Sequence, residues 1–241
     1  MNRKISLLAL LLTAALTPLS AQCLWTTAEV NHSITKSVAA SAEAEMRSSD
    51  GLTDVERWSG SVGLSYRVAK PLKVGAGYTY IHQREPESAS KAGGTIGEHW
   101  QPKHRVFAYA TGEVALGGFT LSLQEQYRFT HRRGQYVTKF NDDGSVSGEK
   151  EHIEPQGKHI LRSRLQVDYS IPGSNLTPYA SAESYNRLDK KLEIDKTRYT
   201  VGFDYQFDGH HTVTIYYRYI NKADEDDASK NVIGAGYTFK F

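Results

Sequence analysis

The chain has 241 residues, a formal net charge of +2, a single cysteine and a mean hydropathy of −0.52. This near balance of charge does not indicate a nucleic-acid partner, and one cysteine excludes a framework of intramolecular disulfides. Fifteen tyrosines against eight phenylalanines and three tryptophans suit a membrane interface, because tyrosine can place its ring in lipid and its hydroxyl among the headgroups.

The first residues have the features of a secretory signal peptide. Arg3 and Lys4 give a positive start, Ile5–Leu16 is apolar, and Leu19–Ala21 offers a cleavage site with small residues. The apolar segment is too short to cross a bilayer, which takes roughly 20 apolar residues. We therefore predict a signal peptide at residues 1–21.

The remaining chain, residues 22–241, is predicted to be one domain, since it contains neither a linker nor a helical pattern. Cys23 raises the alternative of a lipoprotein acylated at that cysteine. Gln22 stands where such a site requires a small residue, which argues against acylation.

Amphipathic strands follow one another along this domain. Between Trp58 and Val68, apolar and polar residues alternate with the two-residue period of a strand that has one apolar face. The same alternation recurs to the end of the chain. We predict eleven strands, at residues 24–33, 37–47, 57–69, 72–82, 103–113, 118–131, 159–170, 176–186, 197–207, 211–221 and 231–241.

Short and long connections alternate between the predicted strands. The short turns are Ala115–Gly118, Pro172–Asn175 and Asp208–His210, and the longer polar loops lie near residues 84–102, 132–158, 188–195 and 222–230. This arrangement is typical of outer-membrane barrels, whose periplasmic turns are short and extracellular loops long. Bacterial single-chain barrels have even strand numbers. Either residues 24–33 do not cross fully or a further strand lies within 132–158, and ten and twelve strands are both open.

The last strand places Ile233, Ala235, Tyr237, Phe239 and Phe241 on one face. In a soluble protein this would be an unprotected, sticky edge. In an outer-membrane barrel it is the closing strand, and an aromatic C-terminal residue resembles the signal read by the insertion machinery. We therefore expect Tyr237, Phe239 and Phe241 to form the insertion signal. The predicted fold class is all-β: an antiparallel transmembrane β-barrel of 10–12 strands in a Gram-negative outer membrane.

If the apolar faces meet lipid, the opposite faces line the barrel interior. Buried charge persists only when it is paired or hydrated. Two interiors remain open: a network of arginine–carboxylate pairs that fills the barrel, or a water-filled passage whose basic excess favours anionic solutes. The predicted lumen-lining charges are Glu43, Glu45, Arg47, Arg67, Lys73, Arg128, Arg162, Arg164, Asp168, Arg198, Asp204, Arg218 and Lys240, and the facing of Glu29 and Glu183 is left open.

Glu125 breaks the alternation, because its position in the strand places it with the apolar residues Leu121, Leu123, Tyr127 and Phe129. A carboxylate facing lipid is costly near the middle of the bilayer. The preferred interpretation is a local bulge that turns Glu125 inward, and a functional carboxylate is the alternative.

The nine histidines do not form a recognisable site. His131, His152 and His159 lie in or beside the central loop, and His210 and His211 lie in a short turn. None has the spacing of metal ligands with a nearby carboxylate on a fixed element, so we expect no metal and no cofactor. No serine stands with a histidine and an acidic or amide residue in a known motif. We expect a protein that is not an enzyme.

The order of several short motifs resembles a family of bacterial outer-membrane barrels, domain of unknown function 2490. The resemblance covers essentially the whole mature chain and implies a barrel fold and outer-membrane location, with no activity attached. The long histidine-containing central loop departs from the family pattern. The matching motifs are Trp25 with Glu29, Glu43 and Glu45 with Arg47, Arg128, Arg162-x-Arg164, Pro178–Glu183, Arg198 with Gly202 and Tyr205, and Gly236-Tyr237.

The sequence therefore predicts a monomeric outer-membrane barrel whose role is that of a narrow, porin-like channel for small polar or anionic solutes. One alternative is a sealed structural or surface-interaction barrel that acts through its extracellular loops. A less favoured alternative is a membrane-embedded hydrolase. The expected partners are outer-membrane lipids and the barrel-insertion machinery, with no nucleic acid.

Overall fold

The computed structural model describes residues 23–49, 54–91, 93–222 and 229–241, and the predicted signal peptide lies outside them. These residues form fifteen strands and one 3₁₀ helix, Leu188–Lys190. The strands are β1 (Cys23–Ser33), β2 (Val38–Ser49), β3 (Asp54–Ala69), β4 (Leu72–Glu85), β5 (Ser88–Ala89), β6 (Thr95–Ile96), β7 (His99–Leu116), β8 (Phe119–Arg132), β9 (Gln135–Phe140), β10 (Val146–Ile153), β11 (Gln156–Tyr169), β12 (Leu176–Arg187), β13 (Glu193–Gln206), β14 (His211–Asn221) and β15 (Asn231–Lys240).

Eleven of these strands close into a barrel, in the order β1-β15-β14-β13-β12-β11-β8-β7-β4-β3-β2. Each of the eleven predicted strands corresponds to one of them. Neighbouring strands are antiparallel except at the closure, where β1 runs parallel to β15 from the pair Cys23 and Val232 to the pair Asn31 and Lys240. The predicted all-β barrel is confirmed.

The expectation of an even strand number is wrong for the described residues. Strand β1 pairs along its full length with β2 and from Cys23 to Asn31 with β15, so residues 24–33 do belong to the barrel wall. In an up-and-down barrel with an odd number of strands, the first and last strands run in the same direction, and the closure must be parallel. The assumption of antiparallel closure, and not the strand pattern, caused the error.

Residues 132–158 contain two strands, but neither enters the barrel. Strands β9 and β10 form a hairpin whose turn includes Gly144 at φ +80°, and this hairpin joins β6 and β5 in a separate four-stranded sheet. The Asp143-Gly144 pair is a recognised hairpin signal. The long central loop is therefore an ordered β-structure beside the barrel.

The two ends of the barrel differ. The turn end contains the short connections at residues 34–37, 70–71, 117–118, 170–175 and 207–210, and the opposite, loop end contains the long ones. Phe241 lies at the turn end, where its backbone N–H donates to the Asn31 carbonyl at 3.0 Å. The connection from β12 to β13, which we predicted to be long, spans only residues 188–192.

The barrel wall is apolar outside and polar inside. On β3, Val62 and Leu64 are 58% and 59% exposed, whereas Arg57 and Ser59 are 5% and 6% exposed. This is the reverse of a water-soluble protein and the expected arrangement when lipid surrounds the wall. Within the described ranges, no helix has the length and hydropathy needed to cross a membrane.

Aromatic rings surround both rims on the outer face. At the loop end, Trp58 lies 5.4 Å from Tyr80, and His82 stacks on Trp100 at 4.9 Å. At the turn end, Phe119 contacts Tyr169 at 4.7 Å and Phe239 contacts Phe241 at 5.6 Å. Such belts occur where a wall crosses the membrane–water interfaces.

Candidate functional site in the barrel interior

The most buried charge in the lumen is Glu183 on β12, whose side chain is 1% exposed. Arg162 on the neighbouring strand β11 donates to both of its oxygens, from Nη2 to Oε1 at 2.6 Å and from Nε to Oε2 at 3.0 Å. Arg164 lies 3.7 Å away, and the Tyr185 hydroxyl donates to Oε2 at 2.7 Å. A bidentate, charge-assisted pair of this kind can hold a carboxylate away from water.

A second carboxylate, Glu45 on β2, lies between two arginines. Arg47 Nε is 2.9 Å from Glu45 Oε1, and Arg57 Nη2 on β3 is 3.5 Å from the same oxygen. Both guanidinium groups are buried. Glu45 therefore compensates charge that the interior could not otherwise hold.

Two aromatic rings complete this arrangement by contacting the arginines across the lumen. Arg47 lies 3.6 Å from the ring centroid of Trp25, and Arg198 lies 5.1 Å from Trp25 and 4.8 Å from Tyr185. These distances allow cation–π attraction, which is stronger where water is excluded. We call Glu45, Arg47, Arg57, Arg162, Glu183, Tyr185 and Arg198 the paired-charge layer.

Next to the layer, at the seam between β1 and β15, lies a small apolar cluster. Cys23, Trp25, Ile220 and Val232 are each at most 1% exposed. The indole Nε1 of Trp25 donates to Cys23 Sγ at 3.1 Å. This cluster fills one side of the lumen and holds Trp25 against the arginines.

A tyrosine fills the space beside the seam. The ring of Tyr216 lies so close to Gly234 that a Cβ added there would be 1.9 Å from the ring. Glycine at this position therefore allows Tyr216 to lie flat against β15. Arg218 contacts the same ring at 4.7 Å.

Among the described residues, one cavity opens at the loop end of the interior and another at the turn end, and these two share no lining residue. The loop-end vestibule has a volume of about 200 Å³, and Asp195 is the one carboxylate among the described residues that line it. Its floor includes Tyr185 of the paired-charge layer. Ten cationic side chains line it: Arg47, Arg57, Lys103, Arg105, Arg128, Arg132, Lys158, Arg187, Lys196 and Arg198.

The turn-end cavity is larger and closer to neutral. Its volume is about 470 Å³, and four cationic side chains in its lining stand against two carboxylates. These are Lys36, Arg67, Lys73 and Lys240 with Glu29 and Asp204. The basic excess of the interior is therefore concentrated at the loop end.

The structure places the predicted lumen-lining charges in three groups. Arg67, Lys73, Asp204 and Lys240 line the turn-end cavity, and Arg47, Arg128 and Arg198 line the loop-end vestibule. Glu45, Arg162 and Arg164 lie between the two cavities, in ion pairs.

The other three predicted residues lie beside these groups. Glu43 is opposite Glu29 in the pairing of β1 with β2. Asp168 accepts a hydrogen bond from Gln166 Nε2 at 2.7 Å, and Arg218 donates to Thr200 Oγ1 at 2.9 Å. Whether any of these side chains lines a conducting path stays a prediction.

Several important residues were missed by the sequence analysis. Arg57 continues the inward face of β3 two residues before Ser59, and Lys103 and Arg105 continue the inward face of β7. Extending the two-residue period to the loop end would have found all three. Trp25 and Tyr185 had no such signal, since an aromatic residue in a barrel strand more often faces lipid.

The bulge proposed for Glu125 is wrong. Strand β8 pairs with β7 and β11 through this position without a register shift, and Glu125 is exposed on the outer face. The Ser163 hydroxyl on β11 donates to Glu125 Oε2 at 2.7 Å. A polar pair on the lipid-facing surface thus replaces the predicted inward turn.

The histidines mostly belong to the outer aromatic belts. His159 lies 2.8 Å from the Tyr127 hydroxyl, and His211 lies 2.6 Å from the hydroxyl of Tyr237. Among the described residues, no three His, Cys, Asp or Glu side chains group so as to hold a metal ion. Tyr237, Phe239 and Phe241, the predicted insertion signal, lie along the outer face of β15 and its end.

Comparison with known proteins agrees with this architecture. The sequence profile of the family described as "Protein of unknown function (DUF2490)" matches residues 22–231. No curated protein matches the sequence. The NanC porin structure aligns with a TM-score of 0.52 and 14% identity over 92% of this chain and 95% of that chain. The translocator domain of the autotransporter NalP from Neisseria meningitidis aligns with a TM-score of 0.50 and 13% identity over 79% and 71%. At such identities the likeness shows the fold alone, that of an outer-membrane β-barrel.

Proposed function

Because the chain belongs to the DUF2490 family, as its motifs predicted, and has a porin-like barrel fold, we propose that it is a narrow outer-membrane channel for small anionic solutes. The observation that supports this most is the charge of the interior. In the described part of the chain, ten cationic side chains and one carboxylate line the loop-end vestibule. A low-dielectric wall around such a group focuses its positive field and raises the local concentration of anions.

The paired-charge layer sets the expected size of the current. Glu183 and Trp25 are almost fully buried within the lumen, so an anion must pass between arginine side chains and not through an open bore. Flexible guanidinium groups can exchange a carboxylate partner for a passing anion. We therefore expect small, fluctuating conductance with anion selectivity.

Recordings in planar bilayers test the proposal. Purified, folded full-length protein should give single-channel events whose reversal potential in a KCl gradient indicates preference for chloride. A correctly folded protein that stays silent, or one that prefers potassium, would contradict it. Folding is checked independently by resistance of the barrel to detergent at room temperature on gel electrophoresis.

A second candidate function is a sealed barrel that acts through its loops. The observation that favours it is the sheet of β5, β6, β9 and β10, which gives the loop end an ordered surface. Replacing the β9–β10 hairpin with a short turn discriminates the two functions. A sealed barrel predicts loss of the cellular phenotype with no change in conductance, and a channel predicts altered conductance or rectification.

The hydrolase alternative has less support. Ser163 and Glu125 form a hydrogen-bonded pair facing lipid, but within the described part of the chain the Ser163 hydroxyl bonds to this carboxylate and not to a histidine. A nucleophilic serine needs such a base. Release of lysolipid from phospholipid vesicles incubated with the folded protein would support the hydrolase alternative.

The proposed location is the outer membrane of a Gram-negative bacterium, with the protein as a monomer in contact with lipids and, during assembly, with the barrel-insertion machinery. The aromatic row of Tyr237, Phe239 and Phe241 on the outer face, with Phe241 54% exposed, supports a role of these rings in recognition. Phe241→Asp should lower the yield of assembled barrel in cells, while refolding of the purified protein into detergent changes little. Normal assembly of this variant in cells would contradict the role.

A further inference from the structure

The two cavities lie at opposite ends of the barrel and differ in charge. Among the residues that the structure describes, the loop-end vestibule has ten cationic lining residues to one carboxylate, and the turn-end cavity has four to two. A channel with only a weak preference for anions would not require so many cationic side chains at one end. The asymmetry indicates a place where an anion stops before it crosses.

The vestibule's cations converge on one point. Arg128 from β8, Lys196 from β13 and Arg198 from β13 lie 5.5, 5.7 and 4.8 Å from the Tyr185 ring. Their strands are on different sides of β12, so the charges approach the ring from both directions. A small anion above this ring would meet several donors at once.

Two of the arginines contact neutral groups. Arg128 Nε donates to the Gln126 amide oxygen at 2.6 Å, and Arg132 Nη2 donates to the Glu154 carbonyl at 3.2 Å. The Nε of Arg132 is buried and has no hydrogen-bond partner within the described residues. A buried donor of this kind is costly until an acceptor reaches it.

Asp195 balances only Lys158, which lies 2.8 Å from its carboxylate. Glu45, Glu85 and Asp189, which lie beside the lining, pair with four other cations: Arg47, Arg57, Lys103 and Arg187. Arg128 and Arg132 contact neutral groups instead. A compact molecule with several negative oxygens would satisfy donors from β8 and β13 together. The vestibule, with a volume of about 200 Å³, has room for a compact di- or tri-anion.

We infer that the loop-end vestibule is a binding site for a small solute with at least two anionic groups, of the phosphate or carboxylate class. The inference rests on the proposed function, since it names the solute class that the channel would receive from the loop side. The site holds the solute through charge-assisted hydrogen bonds, with the Tyr185 ring as its floor.

Isothermal titration of the folded full-length protein in detergent with potassium pyrophosphate tests the site, with potassium acetate as the monovalent comparison. We expect saturable binding of one pyrophosphate, weakened by added salt, and no measurable saturation by acetate. Arg128→Gln should weaken binding about tenfold, the loss typical of one charge-assisted hydrogen bond. Lys73→Gln removes the same charge from the turn-end cavity and should leave binding unchanged.

Arg132→Gln provides a second variant if Arg128→Gln does not fold, and it should weaken binding by a similar factor. Equal loss in Lys73→Gln and Arg128→Gln, or no saturable binding by the wild-type protein, would overturn the site. Binding without any conductance would leave the site standing and remove the proposed channel. Conductance without pyrophosphate binding would support the channel and overturn the binding site.

Sidedness gives an independent readout in an active channel. Pyrophosphate added at the loop end should reduce the current at a lower concentration than pyrophosphate added at the turn end. Arg128→Gln should shift only the loop-end value. Equal block from both ends would overturn the assignment to the vestibule.

Discussion

The inner and outer faces of the barrel are built by alternate residues of the same strands, yet they meet opposite surroundings. On β8, Leu121 and Leu123 face outward and are exposed, whereas Gln126 faces inward and is buried. The outer face needs no partner because lipid is its solvent. The inner face must pair each charge it buries, as Arg162 and Glu183 do. Whether a charge is tolerated therefore depends first on its face and, on the outer face, also on its depth in the bilayer.

The largest effect is expected inside, at Glu183. Glu183→Gln leaves Arg162 and Arg164 without their carboxylate, and breaking such a buried pair costs about 3–5 kcal/mol. Urea unfolding in lipid vesicles, followed by tryptophan fluorescence, measures the loss. Asp168→Asn is the matched control, since Asp168 accepts a bond from the neutral Gln166 and should cost much less. Equal costs for the two variants would mean that the paired-charge layer has no special role.

The next largest effect is expected from a cation placed on the outer face, compared with the same cation one residue away on the inner face. Leu123→Arg places a cation on the lipid side and is expected to cost about 2–4 kcal/mol near the middle of the bilayer. Ser122→Arg places the same side chain inside, where Glu113 on β7 is its cross-strand neighbour, and should cost less. The same unfolding assay compares them. A greater cost for Ser122→Arg would reverse the assignment of the faces.

Glu125 is a charged residue on the outer face of the barrel, which is mainly apolar. Its carboxylate faces lipid with Ser163 as a partner, so Glu125→Leu should raise stability, by about 1 kcal/mol if acidic residues on the lipid face cost less than basic ones. Glu125→Gln, which keeps the polar contact, should gain less. A loss of stability in Glu125→Leu would show that another protein or a bound molecule covers this surface.

The smallest effect concerns a turn outside the membrane. The backbone N–H groups of His210 and His211 donate to Asp208 and lower the pKa of its carboxyl below the usual 3.8. A lowered pKa in the folded protein stabilises it above the unfolded pKa, and this contribution is lost as the pH falls through the folded pKa. The stability difference between wild type and Asp208→Ala should therefore shrink as pH falls from about 6 to about 2. A difference that stays constant over this range would contradict the bond to the ionised form.

The barrel wall could be predicted from sequence because its period is local. Val62 and Leu64 alternate with Ser61 and Gly63, and this pattern needs no knowledge of other strands. The parallel closure depends on the ring as a whole, so no residue near Cys23 or Val232 signals it. The pairing of Arg162 with Glu183 is partly predictable from the sequence. The sequence predicts that Arg162 faces inward and leaves the facing of Glu183 open, and their contact depends on the register between β11 and β12, which the sequence does not specify.

The arrangement of the three tryptophans allows the most direct test of which face meets lipid. Trp25 is 1% exposed inside the barrel, whereas Trp58 and Trp100 are 44% and 37% exposed on the outer rim. Single-tryptophan variants, made by replacing the other two with phenylalanine, can be refolded into vesicles of lipids brominated near the headgroup. The account predicts strong quenching for the protein that keeps Trp58 and weak quenching for the protein that keeps Trp25. Stronger quenching of Trp25 than of Trp58 would contradict it.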